Sequence, residues 1–155
     1  MSIPAESSGD QFELGTDGPK VLVVGIDGST TSMRAGSYAA GLARRQGSHL
    51  VVVYVVRPGG LIDLAPGAAA FARQTSDEIV EDLRRQIEER AATFDIPYTF
   101  RVECGDPYGE LVRVADEVRA DGVIVGASTQ AGHRFAGSIA IRLVKAGRWP
   151  VTVVP

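Results

Sequence analysis

The chain predicts an α/β fold: a doubly wound three-layer sandwich with a five-stranded parallel sheet between helices. Three observations carry this. Short apolar runs recur, Val21 to Ile26, Leu50 to Val56 and Gly122 to Val125 among them, as strands covered on both faces require. Stretches with helical spacing alternate with those runs. At both ends of the chain an apolar run breaks into Gly, Ser and Thr before a helix opens, in VLVVGIDGSTTSMRA from Val21 and in DGVIVGASTQAGHRFAGS from Asp121. In open α/β sheets the crevice at the carboxyl edge, where strand order reverses, is the place for a ligand.

Composition bounds the reading. The 155 residues suffice for one domain. The formal charge of −3 gives no support for nucleic-acid binding. Of the 19 acids, Glu6, Asp10, Glu13 and Asp17 precede the first base, Lys20, which leaves 15 acids against 16 bases in the rest. Residues 1–19 are therefore expected to form a disordered acidic tail, and residues 20–155 a nucleotide-binding domain. Cys104 is the single cysteine, which fits a reducing compartment. MSIPAESSGD has neither a basic stretch nor an apolar core, and the longest apolar run is too short to span a bilayer, so a cytoplasmic protein without membrane contact is expected.

The elements follow in order. After the first strand, Thr31 to Gln46 reads as a helix rich in small residues, among them Ala35, Ala39 and Ala43, which let it lie close to a sheet, and Gly47 ends it. Leu50 to Val56 is the second strand. Pro58, Gly59, Gly60, Pro66 and Gly67 mark Arg57 to Ala70 as a long loop, expected to act as a flap over the carboxyl edge. Phe71 to Phe94 reads as a helix with Ile79, Leu83 and Ile87 inward and Asp82, Arg85, Glu88 and Glu89 outward. Tyr98 to Glu103 alternates and is more polar, as suits an edge strand. Asp106-Pro107 opens a helix as N-cap and first-turn proline, with Leu111, Val114 and Val118 inward. Gly122 to Val125, a helix from Ser138 to Ala146, and Val151 to Val154 complete the series.

Two places carry candidate chemistry. Asp27 ends the first strand, where a carboxylate accepts hydrogen bonds from a ligand amine or hydroxyl, or else organises the turn into the next helix. The loop from Gly126 to Ser138, with Gly126, Ser128, Thr129, Gly132, Gly137 and Ser138, presents small residues and hydroxyls before a helix N-terminus, an arrangement suited to an anion. His133 and Arg134 add positive charge there. The absences are informative too. There is no P-loop, no dinucleotide fingerprint after a strand and no nucleophile elbow. His49 and His133 stand apart without metal-ligand spacing, and His49 reads as a surface residue. No catalytic residue and no metal ligand is assigned. A phospho-receiver reading fails because Asp27 stands alone and the last strand ends in Val-Val-Pro.

These residues resemble the universal stress protein family. The resemblance covers Lys20 to Pro155 and rests on VLVVGIDGSTTSMRA, on CGDPYGELVRVADE from Cys104, on DGVIVGAS, on Gly137-Ser138 and on the terminal WPVTVVP. It implies strand order 3-2-1-4-5. It also implies an adenine-nucleotide site: ATP foremost, with AMP or cyclic AMP as alternatives and Mg accompanying ATP. Asp27 matches the acid that meets adenine, Gly28 beside it is assigned to the nucleotide site, and Val53 to Val55 matches the second-strand region that also meets adenine. The family's phosphate motif is Gly, two residues, Gly, nine residues, Gly, then Ser or Thr. Here Gly126 holds the first position, Thr129 replaces the second glycine, and seven residues separate it from Gly137-Ser138. A triphosphate is expected to suffer from this more than a monophosphate or a cyclic phosphate. The resemblance also implies a homodimer through the C-terminal strand. The expected function is a small nucleotide-binding stress-response module, with at most weak ATP hydrolysis. The alternative is a family member that binds no ATP and works through dimerisation and protein contacts.

Overall fold

The computed structural model describes residues 18–57, 66–128 and 138–155. Five strands, β1 (Val21–Ile26), β2 (His49–Val56), β3 (Tyr98–Cys104), β4 (Gly122–Gly126) and β5 (Val151–Val154), alternate with four helices, α1 (Thr30–Gln46), α2 (Pro66–Phe94), α3 (Pro107–Glu117) and α4 (Ser138–Ala146). All pairings are parallel, in the order β3-β2-β1-β4-β5. The predicted fold class and strand order are those observed.

Strand alternation divides the core into two layers. Leu22, Val24 and Ile26 of β1, with Leu50, Val52 and Ile124, face α1 and α2. Val23, Val51, Val53, Val123 and Val125 face α3 and α4, against Leu111, Val114, Ala140 and Leu143. Ala35, Ala39 and Ala43 of α1 are completely buried, at fourfold spacing along its inner face. With only a methyl group at each contact, α1 lies directly on the sheet. Ser29 caps it by accepting the Ser32 amide at 3.2 Å, and Gly47 ends it in the left-handed conformation at φ 68°. Asp106 caps α3 by accepting the Gly109 amide at 2.8 Å, with Pro107 in the first turn as read from the sequence.

Two expectations need correction. The long helix begins at Pro66, so residues 66–70 belong to α2 rather than to the loop. Proline is tolerated in a first turn, where its missing N–H has no partner to lose, and the three alanines at 68–70 then favour the helix strongly. The expected flap is thereby shortened, and residues 58–65 lie outside the described residues, as does the expected tail but for Gly18 and Pro19. Ile79 is 41 % exposed, whereas Leu83 is buried and Ile87 packs against the core. The inner face of α2 is thus narrower than its periodicity implies.

The polar edge strand β3 is tied to α3 by ion pairs. Glu103 holds Arg101 at 2.7 Å and Arg113 at 2.5 Å, Glu110 holds Arg113 at 2.7 Å, and Glu117 reaches both arginines at 3.1 Å. The hydrogen bond to Glu117 raises the Arg101 pKa above its ordinary value, and Arg101 in turn holds Glu117 below the usual carboxylate range. His49 lies at the surface, its Nε2 2.8 Å from the Thr99 hydroxyl.

Candidate functional site

A cleft of about 270 Å³ opens at the carboxyl edge of the sheet. It lies where β1 parts from β4 and their following connections leave in opposite directions, the switch point at which open sheets leave room for a ligand. Its floor is the ends of β1, β2 and β4, and its walls are the first turns of α1, α3 and α4.

Asp27 stands at the exit of β1. Its Oδ1 accepts the Ser29 amide at 2.9 Å, and its own amide donates to the Ser32 hydroxyl at 3.1 Å. The carboxylate therefore organises the turn without being the helix cap, which is Ser29. Gly28, at φ 83°, supplies the left-handed residue this turn needs. Partial burial pushes the Asp27 pKa up, but hydrogen bonds from Ser29 and Ser32 outweigh it and hold the carboxyl below its ordinary value. Tyr54, on the neighbouring strand, has its phenol pKa raised by burial and then by the Asp27 charge.

Of the residues singled out in the sequence, Asp27, Val53, Val55, Gly126, Ser128 and Ser138 line this one cleft. Gly28 is not among the lining residues. Thr129, His133 and Gly137, with Gly132 and Arg134, lie outside the described residues. Gly126 owes its small size to packing as well. A Cβ there would stand 2.6 Å from the Ser32 nitrogen and the Thr31 carbonyl carbon, so only glycine lets β4 meet the first turn of α1. The Thr31 hydroxyl seals that junction by donating to the Ala127 carbonyl at 2.6 Å.

The cleft also includes residues that the sequence reading did not single out. Ser29, Thr31 and Ser32 belong to the hydroxyl cluster after Asp27, whose sequence signal is that of a helix start. Arg57 follows β2 directly and lines the mouth. Its signal in the sequence was a lone base after an apolar strand, at the carboxyl edge. Pro107 and Leu111 come from α3, and nothing in the sequence places that helix against β1. Gly25 makes room for Leu111, since a Cβ at Gly25 would lie 3.0 Å from Leu111 Cδ1. Arg142 of α4 lies over the Tyr108 ring at 3.8 Å and 3.7 Å from Asp106, which joins the two helical walls. No group of three or more His, Cys, Asp or Glu positioned for a metal ion occurs among the described residues.

Residues 19–155 match the family model described as the universal stress protein family. This chain belongs to the universal stress protein family. A universal stress protein of Methanocaldococcus jannaschii is 25 % identical over 138 residues, covering 87 % of this chain and 81 % of its own length. A solved universal stress protein in complex with cAMP is 27 % identical, with a TM-score of 0.66, covering 88 % of this chain and 96 % of that one. A universal stress protein of Lactobacillus plantarum superposes with a TM-score of 0.75 at 23 % identity, covering 88 % and 97 % of the two chains, and supports the fold. No helix among the described residues is long and apolar enough to cross a membrane.

Proposed function

We propose that this universal stress protein is a small, cytoplasmic adenine-nucleotide-binding module of a stress response. The observation that carries the reading is the cleft at the switch point, with a carboxylate on the β1 side and the first turn of α4 on the other. Asp27 accepts hydrogen bonds and repels phosphates, so it serves the adenosine end of a ligand. Val53 and Val55 line the cleft with apolar surface, which suits the flat face of a base. Ser128 and Ser138 line the cleft, Ser138 at the first residue of α4, and hydroxyls beside the positive end of a helix suit phosphate oxygens. The relative solved with cAMP supports the ligand class. Thr129 in place of a glycine and the shortened spacing to Gly137 favour AMP or cyclic AMP over ATP. Mg enters this scheme only as the counter-ion of ATP. Hydrolysis of ATP is at most a weak side activity on this reading.

Mass spectrometry of small molecules released from freshly purified protein tests the proposal. The expected finding is an adenine nucleotide. Release of a different ligand class overturns it.

A second reading has an observation of its own. β5 lies at the sheet edge, and the α4 residues Ile141 and Val144 beside it are 42 % and 60 % exposed. An apolar edge next to exposed apolar side chains supports a homodimer through β5, and action through protein contacts. The cleft and β5 occupy different parts of the sheet, so pairing through β5 does not require an ATP-filled cleft, and this second reading is that of a family member that binds no ATP.

A further inference from the structure

We infer that the apolar cavity between α1 and α2 binds the aliphatic end of a short-chain carboxylate, with Arg90 holding the carboxylate at its mouth. The cavity lies on the α1/α2 face of the sheet and is separate from the cleft at the carboxyl edge. Among the described residues, Ile26 alone lines both.

The sequence leaves this space open. Gly36 and Ala40 line it from α1, so no long side chain at those positions fills the gap to α2. A Cβ at Gly36 would lie 3.8 Å from Ile26 Cγ2, an ordinary contact, so crowding does not impose the glycine. The result is a cavity of about 60 Å³. Leu50, Val52 and Ile96 line it from the buried core, and Met33 and Ile87 from the half-buried flanks of the two helices. Water in such surroundings finds few polar partners, whereas methylene groups find close contacts on several sides. The volume is far below that of a drug-sized pocket and suits the end of an aliphatic chain.

The charge at the mouth specifies the other end of the ligand. Among the described lining residues Arg90 is the only charged one. It is exposed, and its Nη1 donates to the Ser37 hydroxyl at 3.0 Å, across the gap between the helices. Among the described residues no carboxylate answers this guanidinium. The residues three and four positions away on α2, Gln86, Ile87, Thr93 and Phe94, are uncharged, and α1 contains no acid. Glu88 and Glu89 are too close in sequence to share its face of the helix. Asp82, two turns away, accepts from Gln86 at 2.7 Å and pairs with Arg85. An incoming carboxylate therefore breaks no salt bridge, and the planar fork of Arg90 matches its two oxygens. A hydrocarbon would satisfy the cavity alone, and a small anion without a chain would satisfy Arg90 alone.

NMR titration of the full chain, labelled at isoleucine methyl groups, with sodium hexanoate and with 1-hexanol tests this. Saturable shifts are expected at Ile87 and Ile96 and not at Ile139, which lines the cleft. Lengthening the carboxylate from butyrate to hexanoate should tighten binding about fourfold per methylene while the cavity fills. Hexanoate should bind about two- to fivefold more tightly than 1-hexanol, the scale of an exposed ion pair, and Arg90→Gln should abolish that preference while sparing the alcohol. Ala40→Leu, which fills the cavity from α1, should weaken both ligands about tenfold or more. If that variant does not fold, the parent still decides, because affinity that fails to rise with chain length overturns the inference. Equal affinity for hexanoate and hexanol in the parent overturns it, as does an Arg90→Gln that weakens both alike. Ile87 and Ile96 signals that ignore hexanoate but shift on Phe12→Ser and Leu14→Ser give the cavity to the N-terminal segment of the chain and overturn it as well.

Discussion

At Asp27 a single carboxylate accepts a hydrogen bond from the Ser29 amide at 2.9 Å and lines the cleft. Burial raises its pKa, and the hydrogen bonds from Ser29 and Ser32 lower it further than burial raises it, so the folded carboxyl titrates below its ordinary value. The stability this contributes is therefore complete above the unfolded pKa of about 3.9 and is lost as pH falls through the folded value. Asp27→Asn should flatten the dependence of urea midpoint on pH below about pH 4 and leave the neutral limb little changed in slope. A parent-like acid limb in the variant would contradict this. For binding, Asp27→Ala should weaken adenosine, AMP and cyclic AMP by a similar factor of about ten to a hundred, because the proposed function assigns the carboxylate to the part they share. At this scale the sequence was informative about Asp27, which ends an apolar run alone. It was silent about Leu111, whose side chain reaches β1 only because Gly25 leaves space for it.

Among the elements, the junction of β4 with α1 is the most constrained. Gly126→Ala puts a methyl group 2.6 Å from backbone atoms of Thr31 and Ser32, where no flexible side chain can yield. The expected cost is about 1–3 kcal/mol, read from urea unfolding, with or without nucleotide. Gly41→Ala on α1 is the control. Apart from its own helix backbone, nothing among the described residues lies within 4 Å of its added Cβ, so the variant should gain up to about 1 kcal/mol from helix propensity. A neutral Gly126→Ala would show that α1 moves away freely. Periodicity and caps made the elements legible: Asp106-Pro107 and Gly47 act in the structure as their residue types predict. The start of α2 is hidden in the sequence because Pro66 and Gly67 are typical loop residues, though proline stops a helix only from its interior. The inward reading of Ile79 failed because spacing gives a face but not how far the sheet extends beneath it.

For the whole molecule, the parallel ladder and its right-handed crossovers bring β1 and β4 together, and residues a hundred positions apart in the chain thereby share one cleft. This is why Asp27 and Ser138 could be proposed for one site from the sequence, while the α3 wall could not. The open edge of β5 bears on assembly. The carbonyls of Pro150 and Val154 accept amides from β4 and its exit at 3.0 and 2.7 Å, so the alternate residues Val151 and Val153 point their amides outward. Val153→Pro removes one outward donor and no inward one. Sedimentation velocity at micromolar concentration is expected to give a dimer for the parent and a shift toward monomer for the variant, and a monomeric parent would contradict pairing through this edge. The most direct test of the central claim is calorimetric titration of the unmodified chain with AMP, cyclic AMP and ATP. The account predicts that AMP and cyclic AMP bind at least as tightly as ATP, with one site per chain. Absence of binding by all three at millimolar concentration would contradict it.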